Sequence, residues 1–235
     1  MDVRQIAAEL QAQGEPRRAV SERAYLKSDL EHYGVPVPAI RKVTRAVPVA
    51  GRGELLGLVD ELWGPVHELR MVSIELLIRH VGLLEAADLS VPERLIRDSA
   101  TWAYVDALAV KVTGALIVRY PDLAVALDGY VEDANFWIRR TALLALLPAI
   151  GTGDGDLARL SRYGDLLLGE QEFFIRKALG WVLRELSKAD PAWVVAWVEP
   201  RASRLSGVTI REAVRHLPAA DAVRLMTLYR PRTRE

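Results

Sequence analysis

Residues 175 to 186, IRKALGWVLREL, are one of four stretches written to a common pattern. Leu69 to His80 reads LRMVSIELLIRH, Ile138 to Leu147 reads IRRTALLALL, and Ile210 to Leu217 reads IREAVRHL. Each opens on an apolar residue followed by arginine, and then runs through small and apolar residues. The arginines at 70, 139, 176 and 211 are separated by 69, 37 and 35 residues. The double gap holds Val105-Asp106-Ala107 near its midpoint, so Asp106 is read as occupying the repeat's arginine position. Apolar residues recur at helical spacing throughout, and no long alternating run bounded by Asn-Gly or Asp-Gly suggests a strand. A period near 35 residues with two helices per unit predicts an all-α superhelical solenoid of stacked helix pairs. Such units bury their apolar faces against one another and curve around a concave surface.

Working outward, Val3 to Gln13 reads as a first helix stopped by Gly14 and Pro16, and Arg17 to Leu30 as a second. In HYGVPVP, Pro36 and Pro38 enforce an extended connection, and Pro38 suits the first turn of the helix AIRKVTRAV. Three short breaks read as turns: GRGELLG (51–57), GTGDGD (151–156) and ADPAW (189–193). The expectation is one continuous solenoid domain over residues 1–235, with a frayed basic tail from Pro231.

The chain has 235 residues, 51% of them hydrophobic and 26% charged, enough to bury a core without crosslinks. It has no cysteine, which removes disulfides, thiolate zinc sites and cysteine nucleophiles. Neither a signal-peptide pattern nor an apolar run of membrane-spanning length is found, so a cytoplasmic protein without membrane contact is expected. Net charge is zero, yet eight arginines face three acidic residues from Arg201 onward. That asymmetry permits an acidic partner. His32, His67, His80 and His216 are scattered without metal-ligand spacing, and no HExxH, GxSxG, EF-hand or phosphate-loop pattern is present. No metal and no cofactor are expected.

Thr101 to Gly114, TWAYVDALAVKVTG, departs from the pattern. Trp102 and Asp106 share one helix face, one turn apart, in a segment that is otherwise largely apolar. A carboxylate there must be hydrogen-bonded, paired or open to a cleft. On this segment alone, a core tryptophan beside a capped aspartate is favoured over a functional pair, and the rest of the chain shifts that balance.

Four pieces together resemble the AlkD-type DNA alkylation repair glycosylases, built of HEAT-like repeats. They are Ala24 to Val43 (AYLKSDLEHYGVPVPAIRKV), Trp102-x-x-x-Asp106, Phe136 to Leu146 (FWIRRTALLAL) and Glu172 to Leu186 (EFFIRKALGWVLREL). The resemblance covers roughly residues 20 to 215 and implies a concave face that binds duplex DNA containing alkylated purines. It implies a catalytic set of Asp106, Trp102 and Trp181, with Tyr25 and Lys27 from the first stretch at the DNA. Arg139 or Arg140, with Arg140 preferred, corresponds to the family's DNA-contacting arginine. Arg176, Lys177 and Arg184 on later repeats would add phosphate contacts, or else bridge repeats through residues such as Glu172 and Glu185. Trp63, Trp137, Trp193 and Trp197 are assigned to packing.

The implied reaction is hydrolysis of the N-glycosidic bond of N3- and N7-alkylpurines by a monomeric, monofunctional enzyme. No catalytic position of the family is missing, unlike relatives that have lost the aspartate. Two other readings fit the same helices: a non-catalytic binder of unusual DNA structures, and a protein-interaction scaffold.

Overall fold

Leucine, valine and isoleucine at three- and four-residue spacing dictate helix along almost the whole chain, and the computed structural model follows that spacing over the described residues, 1–229. Among the described residues no β-strand forms; an isolated bridge joins Glu31 and Val66. The tail expected from Pro231 lies outside the described residues. The chain divides into two compact units, residues 1–108 and 109–235.

The first unit holds α1 (Val3–Gln11), α2 (Pro16–Leu26), α3 (Val37–Ala46), α4 (Arg52–Leu62), α5 (His67–Arg79), α6 (Ser90–Arg97) and α7 (Trp102–Ala107). α5 is its hub: nine of its thirteen residues are buried, and it packs against α3, α4 and α7. The Glu68 side chain on α5 is fully buried and accepts three backbone N–H groups of the preceding turn. Tyr33 N lies 3.0 Å from one oxygen, and Gly34 N and Val35 N lie 2.7 and 3.1 Å from the other. Gly34 sits at φ 79°, and a Cβ there would fall 2.3 Å from the Glu15 carbonyl, so only glycine fits this turn.

The second unit holds α8 (Gly114–Arg119), α9 (Ala126–Tyr130), α10 (Phe136–Leu144), α11 (Leu147–Thr152), α12 (Leu157–Leu166), α13 (Phe173–Leu186), α14 (Pro191–Val198), α15 (Gly207–Ala213) and α16 (Ala219–Leu228). α13 packs between α10 and α15. Side-chain caps start many of these helices, as Asn135, Asp156, Asp190 and Ser206 each accept a first-turn N–H.

The repeat period appears physically as side chains that bond across about one repeat. In the first unit Arg52–Asp88, Trp63–Asp98 and His67–Tyr104 join residues 36, 35 and 37 apart. In the second, Tyr163–Asp128, Trp197–Ser161 and Arg201–Asp165 join residues 35, 36 and 36 apart. Three of the four repeat arginines brace the starts of their own helices. Arg70, Arg139 and Arg176 are each the fourth residue of a helix. Each donates to the carbonyl six residues back, at 2.7, 2.7 and 2.6 Å, holding the incoming chain against the helix start.

Two expectations need correction. α2 ends at Leu26 rather than Leu30, because Lys27 turns into the left-handed region at φ 51°. GRGELLG is not a turn: α4 starts at Arg52, since Leu55, Val59 and Leu62 bury one stripe while Gly53 and Gly57 stay on the exposed side. Asp106 is the fifth residue of α7, the position Arg211 holds in α15, whereas Arg70, Arg139 and Arg176 are each fourth in their helices.

Two outcomes follow. Glu68→Gln removes one acceptor and turns an NH2 toward a backbone N–H, so urea denaturation should show a loss of ~2–4 kcal/mol. Asp128 is held down to about 2 by the Tyr163 hydroxyl foremost and by Arg159 and Arg162. Its folded value lies below its unfolded one, so its contribution is complete above pH 4 to 5 and fades as pH falls toward 2. The side chain is 38% exposed, so Asp128→Asn should cost only ~1 kcal/mol at pH 7, and the difference from wild type should vanish near pH 2.

Candidate catalytic and DNA-facing residues

Thr101 starts α7 by accepting the Ala103 N–H at 3.4 Å. Tyr104 and Val105 then point into the first unit, where Tyr104 bonds His67 Nδ1 at 2.6 Å and meets the Trp63 ring at 5.7 Å. That anchoring turns Trp102 and Asp106 to the partly exposed side, one helical turn apart. Tyr25, on the last turn of α2 and 72% exposed, meets Trp102 edge-on, with ring centroids 6.1 Å apart and planes at 88°. The fold therefore gathers Tyr25 and Trp102, residues 77 positions apart in the chain, with Asp106 one turn beyond. Exposed Lys27 follows two residues after Tyr25, at the strained left-handed turn.

Directly after Ala107 the chain enters a π-helical segment, Leu108–Thr113, before α8 resumes regular helix. π turns insert a residue into a helix and are frequent at functional sites. The passage from the first unit to the second falls inside this segment.

In the second unit Lys177, Trp181 and Arg184 form one stripe of α13 by their spacing of four and three. Trp181 lines an open cleft of about 850 Å³ with Lys111, Leu147, Arg184, Glu185 and Lys188. Arg184 pairs with Glu212 and Glu185, and Lys188 with Glu185 at 2.6 Å. The stripe exists because α13 approaches α15 closely at Gly180. A Cβ there would lie 2.9 Å from Glu212 Cβ and 3.1 Å from the Thr209 backbone.

The arginine readings fare differently. Arg140, the preferred DNA contact, is 2% exposed; its guanidinium donates to the Phe174 carbonyl and stacks over that ring at 5.9 Å. Its long side chain spans to the next repeat, so it joins helices in this conformation instead of facing solvent. Arg139 is partly exposed but pairs with Glu170 at 3.0 Å and bonds two carbonyls. Arg176 bonds the Glu170 carbonyl and the Gln171 side chain, both in the turn just before its own helix. Trp137 and Trp197 are buried, as packing residues should be, and Trp63 and Trp193 are partly so.

Two features were missed. Phe173 is 51% exposed with Lys177 6.0 Å from its ring, and Lys111 reaches the Trp181 cleft. Nothing in LAVKVT marks that lysine out. The fold also brings His32 and His67 together, two histidines with no ligand spacing in sequence, their rings stacked at 4.3 Å.

These features define a helical-repeat protein with a partly exposed Trp–Asp pair on one unit and a tryptophan-lined basic cleft on the other. The family model for DNA alkylation repair enzymes matches residues 6–217, and the chain belongs to that family. A solved structure described as a predicted DNA alkylation repair enzyme from Enterococcus faecalis has the same fold. Its TM-score is 0.77 at 24% identity, with 88% of this chain and 98% of that chain covered. No curated protein matches the chain.

Gly180→Ala should cost ~1–3 kcal/mol through the clash with α15. It should also change the Trp181 fluorescence maximum relative to wild type, read at matched folded fractions.

Proposed function

We propose that this chain is a monofunctional DNA glycosylase that releases cationic N3- and N7-alkylpurines from duplex DNA and leaves an abasic site. Family membership supports a role in alkylation repair. The observation that carries the finer reading is the Trp102–Asp106 face, partly exposed on a helix anchored by buried Tyr104 and Val105, with the Tyr25 ring against it.

Alkylation at N3 or N7 places positive charge on the base and makes it a good leaving group. The glycosidic bond then needs little protonation, and the pair of carboxylates used on neutral leaving groups reduces to one. Asp106 stabilises the oxocarbenium-like sugar and positions or activates the attacking water. Water adds to the anomeric carbon, the electron pair of the C–N bond leaves with the base, and the proton of the water passes to Asp106 or solvent. Trp102 and Trp181 offer π faces to the cationic centre, each contributing ~0.5–2 kcal/mol.

In this reading Tyr25, Lys27, Lys177 and Arg184 contact the DNA, since they lie at exposed or cleft-lining positions. Phosphate contacts of this kind set affinity and its salt dependence without reading sequence. Arg139 and Arg176 shape the helix starts beside them, and Arg140 serves as an interhelix brace.

The test is free-base release from duplex DNA carrying N7-methylguanine. Wild type should release the base, and Asp106→Asn should be slower by ~10²–10³-fold with unchanged DNA binding. Trp102→Ala and Trp181→Ala should each lose about 2- to 30-fold, as their cation–π share allows. A folded wild type that binds DNA but releases no base at high enzyme concentration would sink the glycosylase reading in favour of a non-catalytic binder.

A further inference from the structure

Three side chains outside the residues assigned above converge beneath α2. Glu22 lies on α2, His32 in the turn before α3, and His67 at the start of α5. Each offers a ligand atom, and the three atoms lie within 4.8 Å of one another. Both ring nitrogens of His32 are shielded from solvent and have no hydrogen-bond partner. Leaving buried polar atoms unsatisfied costs ~1–3 kcal/mol each, so such atoms call for an explanation. Glu22 presents a second case: one carboxylate oxygen takes Arg18 at 2.6 Å, while the other is buried without a partner.

The surroundings suit a cation. The His32 and His67 rings stack nearly parallel, 4.3 Å apart at 8°, a contact that two imidazolium ions would resist. His67 Nδ1 is already bonded to the Tyr104 hydroxyl at 2.6 Å, which leaves Nε2 for coordination. An outer-shell hydroxyl of that kind fixes the ring and its tautomer. The buried Glu68 carboxylate is the neighbour of His67 in the chain and adds negative charge, while Arg18 opposes it from α2.

We propose that Glu22, His32 and His67 form a three-ligand site for a divalent transition-metal ion, zinc foremost. Two imidazoles and one carboxylate are a zinc donor set, with a water completing the tetrahedron. At bond lengths of ~2.0–2.1 Å, tetrahedral ligand atoms stand roughly 3.3 Å apart. The site therefore closes by side-chain adjustment around the ion. The ion's role is structural. Glu22 lies one turn before Tyr25 on α2, and Tyr104 lies two residues after Trp102 on α7. The metal thus clamps α2 and the 31–35 turn onto α5 and fixes the contact between Tyr25 and Trp102. The ligands are 10 and 35 residues apart, a spacing that no short metal motif contains.

The experiment uses tag-free full-length protein, stripped with a chelator and desalted, titrated with Co²⁺ and then with Zn²⁺. Expected are a visible Co²⁺ spectrum saturating at one ion per chain, its loss on adding Zn²⁺, and a melting temperature that rises with Zn²⁺. Glu22→Gln and His32→Gln, each checked for folding by circular dichroism, should bind at least ~10-fold more weakly, and exposed His216→Gln should bind as wild type does. Absence of saturable binding, or equal affinity in the folded Glu22→Gln and His32→Gln variants, would overturn the proposal.

Discussion

A carboxylate with no exposed surface, Glu68, accepts three consecutive backbone N–H groups from residues 33 to 35. The arrangement satisfies a buried charge with fixed donors, and in return it dictates the path of the chain. Gly34 must take a positive φ so that successive N–H groups point the same way. Pro36 and Pro38 then launch α3 without the freedom to swing. The turn so fixed carries the chain from the end of α2 back to α5. The turn begins only eight residues after Tyr25, and Tyr25 meets Trp102 across the same unit.

The same economy runs through both units. Polar side chains bond about 35 residues along, and arginines brace the starts of their own helices. A residue type that recurs in every repeat is what the architecture needs, so recurrence is evidence for structure. Arg70, Arg139 and Arg176 are of this kind. Function is better sought where the pattern breaks: at Asp106, an acid at the helix position that Arg211 fills in α15, and at Trp181, which faces a cleft beside a glycine that lets two helices touch.

Much of the fold was legible because helical periodicity and a repeat length of 35 are properties of the chain itself. Pro38 in a first turn and the Trp102–Asp106 face were readable from backbone chemistry and helical spacing alone. What the sequence hid depends on partners. GRGELLG looks like a turn until Leu55, Val59 and Leu62 find a core to bury in, and burial outweighs ~1 kcal/mol per glycine. Arginine side chains are long enough to face water or reach the next repeat, and Arg140 and Arg139 differ by the 100° step between neighbours on a helix. The site residues were found largely through family resemblance, and the Tyr25–Trp102 contact could not have been read without it or the fold. His32 and His67 meet only because a turn held by Glu68 returns to the helix that carries Glu68.

The irregular turn after Asp106 follows from the same logic. A helix that continued in α geometry would keep a constant face and could be one more repeat helix. Leu108 to Thr113 instead take up an extra residue, so the helical face changes within this segment. Such a turn persists only where packing over-determines it. Beyond it Gly114 touches Pro148 and the Ala145 carbonyl at distances that exclude any larger residue, so the helix after the turn has its own fixed seat. Before the turn, Tyr104 is pinned by His67 and Trp63. Each end of the segment is held by contacts of its own unit. Asp106 stands immediately ahead of that change, on the partly exposed side of a short helix whose rotation is set by buried aromatics and not by the repeat.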